Sequence, residues 1–271
     1  MNLDRVFISL LIPFGNQNCS PSYDMLNFIK RLTRPYRWLH RMLKRHKWSR
    51  TEFPYAQLHF GQFGEDCVLL SLFGERKTGI FIDVGAFHPI YFSNTHNLSQ
   101  RGWTGINVEP NPESFKLFPV LRPRDININA AISSSSEQRQ FLCDGPYSGF
   151  CDDQSTKFRA EIGGSNGADH EKLIVPVKSM PLSKLIADHV PKGEVVDLIT
   201  IDCEGADLEV LQGADWNSFR PSVVLVEDHD PAPESAILEF MRAQGYGHYL
   251  RIGLTRFFLE PEFAKTARVF F

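Results

Sequence analysis

The chain has 271 residues, 42% of them hydrophobic and 23% charged, with a formal net charge of -3. A chain of this size and composition buries a full core without disulfides or metals, which excludes a disordered protein and a coiled coil. No apolar run reaches the roughly 18 residues that a membrane-spanning helix needs.

The near-neutral total hides an asymmetry. Residues 25–51 hold nine Lys or Arg and no acid, leaving 20 bases against 32 acids elsewhere. An acidic body of this kind argues against a nucleic-acid partner. Five scattered cysteines, Cys19, Cys67, Cys143, Cys151 and Cys203, form no close metal-type pair. They read as buried thiols of a reducing, cytoplasmic compartment, with a Cys143–Cys151 bridge as the alternative. At the start, Asp4 precedes the apolar stretch Val6–Phe14, and no small-residue cleavage site follows, so a secretory signal is not expected.

From Ser22 to Ser49 the pattern is helical: Leu26, Ile29 and Leu32 recur at spacing three, then Tyr36, Leu39 and Leu43 after a break at Pro35. Its polar side is almost wholly Lys and Arg. Such a helix lies on an anionic membrane surface, or packs on the body or a partner protein. The sequence thus divides into a basic helical extension, 1–54, and a body, 55–271.

In the body, a helix through Asp66–Phe73 leads into the apolar run Gly79–Ala86, which reads as a buried parallel strand with a tight turn at Gly85. A helix at Ser93–Arg101, a strand at Thr104–Glu109, a helix at Pro112–Leu121 and a strand at Ile126–Ile132 follow. Gln138–Leu142 reads as a further strand. Residues 144–171, rich in Gly, Ser and Asp, read as a long loop or lid. Beyond it come a strand at Leu173–Val177, a helix at Pro181–His189, a strand at Val195–Ile201, a helix at Ala206–Leu211, a strand at Ser222–Val226 and a helix at Pro233–Gln244. A hairpin, Gly247–Ile252 and Thr255–Glu260, closes the series. Strands alternating with helices predict an α/β fold: a mostly parallel sheet with helices on both faces and a C-terminal antiparallel hairpin.

Ligands of such sheets bind outside the carboxyl ends of the strands. Four predicted strands run into acids: Asp83, Glu109, Asp202 and Glu227. Asp83-Val84-Gly85 offers a sharp turn, and Glu109, 26 residues on, offers two acceptor oxygens to a ribose. After Gly85 the sequence reads Ala86-Phe87-His88-Pro89-Ile90, without the later glycines of the phosphate fingerprint. This disfavours NAD and FAD and is compatible with S-adenosylmethionine, which carries no phosphate.

Several segments together resemble the FkbM family of methyltransferases. They are Gln62–Asp66, Phe81–Ala86, Ser93-Asn94-Thr95, Gly102–Pro112, Asn129–Ser133 and, above all, Ile201-Asp202-Cys203-Glu204-Gly205-Ala206-Asp207 on to Gly213, spread in order over roughly residues 58–230. The resemblance implies a class I methyltransferase Rossmann-like fold, S-adenosylmethionine as cofactor, and O-methylation of hydroxyls on sugars or polyketide-type products. It also implies that Asp83, Gly85, Ala86 and Asn94 approach the cofactor, with Glu109 on the ribose and Asn129 and Ala130 near the adenine. Asp202, Glu204 and Gly205 would line the reaction centre. His88-Pro89 departs from the family pattern.

Candidate bases for the acceptor hydroxyl are His229 and Glu204, then His88 and Asp202. A divalent metal on Asp202, Glu227 and Asp228 is the alternative means of acidifying it. Each residue also has an ordinary counterpart. Asp83 and Asp202 serve as helix caps, His88 as a turn residue, His229 as a salt-bridge partner, and Gln62, Glu65 and Asp66 as a cap with first-turn acids. Tyr147, Phe150 and Phe158 either stack on a sugar or anchor the loop. The expected function is methyl transfer to a sugar hydroxyl of a glycan, lipid-linked saccharide or glycosylated metabolite. Its rivals are a non-catalytic scaffold and a nicotinamide-dependent oxidoreductase.

Overall fold

A computed structural model describes residues 58–152, 173–230, 232 and 234–267. The predicted basic helix, the domain boundary at 54/55, Cys19, Phe158 and most of the predicted loop lie outside the described residues.

The main sheet has seven strands. In chain order they are β1 (Ile80–Val84), β2 (Thr104–Val108), β3 (Ile126–Ile128), β8 (Leu198–Ile201), β9 (Val223–Glu227), β10 (Gly247–Ile252) and β11 (Thr255–Leu259). Their order across the sheet is β10-β11-β9-β8-β1-β2-β3. All pairings among β3, β2, β1, β8 and β9 are parallel, and β11 joins β9 and β10 antiparallel. The expected mostly parallel sheet with a C-terminal hairpin is therefore present. Strand order reverses between β1 and β8, which opens a crevice at their carboxyl ends.

Alternation along each strand sends side chains to two cores. Ile82, Val84, Ile199, Ile201, Val224 and Val226 pack on one face against α5 (Leu182–His189), α6 (Asp207–Gln212) and α7 (Ala236–Ala243). Phe81, Leu198, Val223 and Leu225 pack on the other against α1 (Glu65–Phe73), α2 (His96–Arg101) and α8 (Pro261–Thr266). Both faces are covered, so the strands read as unbroken apolar runs rather than as half-polar ones.

Two expected elements divide. The helix predicted over Pro112–Leu121 splits into α3 (Pro112–Phe115) and α4 (Phe118–Leu121). Pro119 has no amide to continue the ladder, and its ring would crowd the Phe115 carbonyl. The strand predicted over Ile126–Ile132 splits into β3 and β4 (Ala131–Ile132), and only β3 stays in the main sheet. β4 instead opens a second sheet, ordered β4-β7-β5-β6, with β5 (Gln138–Cys143), β6 (Gly149–Phe150) and β7 (Leu173–Met180). No local sequence pattern marks this small sheet as a unit. It places Phe141 and Phe150 beside the ends of the main strands. Cys143 and Cys151 are both free thiols, so the alternative bridge is not formed.

Candidate active site

The carboxyl ends of β1, β2, β8 and β9 surround a cavity of about 580 Å³, within the range usual for small-molecule sites. Its floor is Val84, Gly85, Val108 and Ala130–Ile132. Its polar wall is Glu109, Asp202, Glu204, Glu227 and His229. Aromatic side chains close the rest: Phe87 and Phe92 from the turn after β1, and Phe141, Tyr147 and Phe150 from the second sheet. Among the described residues no Lys or Arg lines it.

Gly85 makes the crevice possible. Its φ is +75°, and a Cβ there would lie 1.8 Å from the Asp202 carbonyl oxygen. Only glycine lets the turn after β1 close so tightly on the turn after β8. Three non-glycine residues also take left-handed backbone angles, Phe87 (φ 49°), Phe92 (φ 55°) and Glu204 (φ 50°), and all three line the cavity. Each costs about 1–2 kcal/mol that the surrounding fold must offset. Such strain concentrates at functional sites because it aims side chains that a relaxed turn would not.

The acids are crowded. Glu109 is buried and receives the amides of Phe87 (2.7 Å) and Asn111 (2.7 Å), one on each oxygen. Burial nevertheless pushes its carboxyl up to about 7. Each of its oxygens keeps a second lone pair for a ligand. Asp202 is open to the cavity yet deep in the molecule, and desolvation raises it to about 6. Asp207, beneath, accepts the amides of Cys203 (2.8 Å) and Gly205 (3.1 Å), which fixes the turn that carries Glu204. Desolvation, then repulsion from Asp202, raises Asp207 to about 7. Glu227 is raised well above the usual carboxylate range by burial, then by Asp202, Asp207 and Glu204. His229 Nε2 lies 2.9 Å from Glu227 Oε1, and burial lowers its ring, favouring the neutral form.

Of the residues singled out from sequence, the structure brings Gly85, Glu109, Ala130, Asp202, Glu204 and His229 to one cavity. Others stand behind it. Asp83 accepts the Thr95 hydroxyl (2.8 Å) below the floor. The Ala86 amide donates to the Val108 carbonyl (3.1 Å). Asn94 donates to Thr200 Oγ1 (3.2 Å), and Asn129 donates to the carbonyls of Glu109 (2.8 Å) and Pro110 (3.1 Å). His88 is corrected as a candidate base. Its Nδ1 accepts the amides of Ile90 and Tyr91, both at 3.0 Å, so it braces a turn outside the cavity wall.

The expected ligand trio also changes. Asp228 turns away to Arg256 and Ser235, whereas Glu204, Glu227 and His229 bring one donor atom each within 4.8 Å of one another. Residues 228 and 229 lie beyond the end of β9, and the chain there sets Glu227 and His229 on the cavity and Asp228 on Arg256. Phe150 is buried on Phe141 and Arg139, which gives it the anchoring role. Tyr147 keeps 42% of its surface exposed at the cavity. At the amino end of α1, Asp66 accepts the Phe60 amide and Glu65 accepts the Phe63 amide, so these acids close a turn, while Gln62 reaches the cavity. Sequence reasoning missed Phe87 and Phe92. No composition signal marks them, because their importance lies in backbone angles.

A methyl donor of the adenosyl-sulfonium kind fits these residues. Among the described residues the wall presents several carboxylates and no Lys or Arg, which suits a ligand bearing an ammonium and a sulfonium but no phosphate. Burial already strains those carboxylates toward protonation, and a bound cation relieves that strain.

A family model described as the methyltransferase FkbM domain matches residues 83–247. No curated protein matches the chain. Among solved structures, the crystal structure of methyltransferase FkbM from Methylobacillus flagellatus KT aligns with TM-score 0.41 and 12% identity, over 68% of this chain and 44% of that one. The chain therefore spans less than half the length of that relative. A Klebsiella pneumoniae protein with a provisional O-methyltransferase name aligns with TM-score 0.38 and 13% identity, over 95% of each chain.

Proposed function

The chain belongs to the FkbM methyltransferase family, and from that premise we propose that it is an S-adenosylmethionine-dependent O-methyltransferase acting on a sugar hydroxyl. The observation that carries this reading is the acid-walled cavity at the carboxyl ends of β1, β2, β8 and β9, which no Lys or Arg lines among the described residues.

S-adenosylmethionine, when bound, supplies an electrophilic methyl group on a cationic sulfur. The chain's own residues do the rest. Glu109, at the end of β2, accepts hydrogen bonds from the ribose. Gly85 and Ala130 let the backbone approach the nucleoside. The carboxylates of Asp202 and Glu204 offset positive charge on the donor. Exposed faces of Phe92 and Tyr147 stack on the apolar face of a sugar ring, and the acids accept its hydroxyls. His229, held neutral by burial, or Glu204 would take the one proton released as the acceptor oxygen bonds to the methyl carbon and the carbon–sulfur bond breaks to leave S-adenosylhomocysteine. Alignment in an enclosed site supplies several kcal/mol more. The basic stretch 25–51 would keep the enzyme near an anionic surface or a partner enzyme. The free thiols fit a reducing compartment such as the cytoplasm.

Calorimetric titration with S-adenosylhomocysteine, with NADH as control, tests the cofactor class. Saturable binding of the first alone is expected. Binding of NADH alone overturns the reading, and binding of neither returns the chain to a scaffold.

A further inference from the structure

The three side chains gathered at the ends of β8 and β9 do more than a base requires. Glu204, Glu227 and His229 place two carboxylate oxygens and one imidazole nitrogen within 4.8 Å of one another, the nearest pair 2.9 Å apart. Ligands of a common ion at about 2.1 Å sit roughly 3 Å apart when adjacent and about 4 Å apart when opposite. The trio brackets those values, and rotation of one carboxylate closes the difference.

A second observation is independent of the spacing. Glu227 is 7% exposed; no protein N–H reaches its Oε2 in the cavity wall, and besides His229 its carboxyl meets another acid there, Asp202. Buried carboxylate oxygens are ordinarily satisfied, so an orphan facing a cavity marks a missing ligand. The nearby described cations are engaged elsewhere, Arg256 on β11 by Asp228 and Arg251 on β10 by the carbonyls of Asp228 and Asp230. Asp202 lines the same wall and adds a further carboxylate.

We infer that Glu204, Glu227 and His229 bind a divalent first-row transition ion of the Mn²⁺ type. The donor set decides the class: two hard oxygens favour Mg²⁺, Ca²⁺ or Mn²⁺, and the imidazole moves the preference to Mn²⁺ and its neighbours. The site stands on this geometry alone. Its role rests on the methyltransferase reading, in which the ion orients and acidifies the acceptor hydroxyl, whose proton passes to the carboxylate of Asp202 in the same wall while His229 and Glu204 hold the ion.

The full chain, stripped with a chelator, is titrated with Mn²⁺ alone while the free-ion paramagnetic resonance signal is followed. One ion per chain is expected, with at least ~10-fold weaker binding in Glu227→Gln and in Glu204→Gln. Nitrogen modulation in the pulsed spectrum is expected for the wild type and lost in His229→Gln. S-adenosylhomocysteine affinity, measured in parallel, should be retained by Glu227→Gln and reports an intact fold. If the wild type binds S-adenosylhomocysteine but no Mn²⁺, the ion is overturned and the methyltransferase reading survives. If all three variants bind Mn²⁺ as tightly as the wild type, these residues are not its ligands and the inference fails. If Mn²⁺ binds as expected and S-adenosylhomocysteine does not, the ion site stands and the cofactor reading falls.

Discussion

Two groups of buried charge lie within one domain and are built in opposite ways. Under β1, β2 and β3, Arg122 uses its whole guanidinium: Nε to Asp125 (2.7 Å), one terminal nitrogen to the Pro89 carbonyl (3.2 Å), the other to Thr95 (3.1 Å). Asp125 in turn receives the Gly105 amide and Asn107, and Thr95 passes a bond on to Asp83. At the ends of β8 and β9, by contrast, Asp202, Glu204, Asp207 and Glu227 crowd together with His229, and among the described residues no Lys or Arg lines the cavity wall. The first group is a strut, built on the matched pair of Arg122 and Asp125. The second is left mismatched, and a ligand must complete it. The same contrast holds between adjacent residues: Asp228 is matched by Arg256, while Glu227 faces the cavity. Burial of charge alone therefore does not mark a site; burial without an internal counter-charge does.

The sharpest way to break this comparison is to alter the mismatched group. Glu204→Gln or His229→Ala should reduce turnover by about 10²–10⁴-fold while the thermal midpoint stays near that of the wild type. A large loss of stability with either variant would make the cluster structural. Arg122→Met should behave in the reverse manner. It strands Asp125 in the interior and should cost about 3–5 kcal/mol, read from the urea midpoint, and a change under about 1 kcal/mol would remove the distinction. Glu109→Gln should weaken S-adenosylhomocysteine by roughly 10- to 100-fold in calorimetry, and an unchanged affinity would displace the ribose from β2.

A pH dependence extends the comparison. Asp83 and Asp202 are raised from 3.8 to about 6, and Asp207 from 3.8 and Glu109 from 4.5 to about 7, with burial the leading cause in each. The folded state therefore holds protons that the unfolded chain has released. Stability from these groups is complete below about pH 4 and is lost progressively as pH rises to about 7. The melting temperature of the ligand-free protein should fall across that window, and Asp202→Asn should narrow the fall by keeping the site neutral. A midpoint that rises with pH across the same window would contradict the crowding.

Much of the architecture is legible in the residues. The unbroken apolar runs of β1, β8 and β9 announce a sheet covered on both sides, and the acids that follow them announce the end that binds. The division of Pro112–Leu121 was within reach, since Pro119 marks it. The second sheet was not, because β4 pairs with β7 across a sequence gap of nearly fifty residues and no local pattern encodes that partner. His88 looked like a base because of its type, and only its two amide contacts reveal a turn brace.

The sequence by itself determined the family, the period-two alternation that builds two cores, and the placement of Glu109, Asp202 and Glu227 at strand ends, since these follow from local residue order. Tertiary structure alone decided which of those acids found an internal cation. It turned Asp228 toward Arg256 and Glu227 toward His229, and it seated Phe87, Phe92 and Glu204 in left-handed conformations around one cavity. Such outcomes depend on which distant strands become neighbours, and pairing of that kind is settled by packing and electrostatics summed over the whole fold.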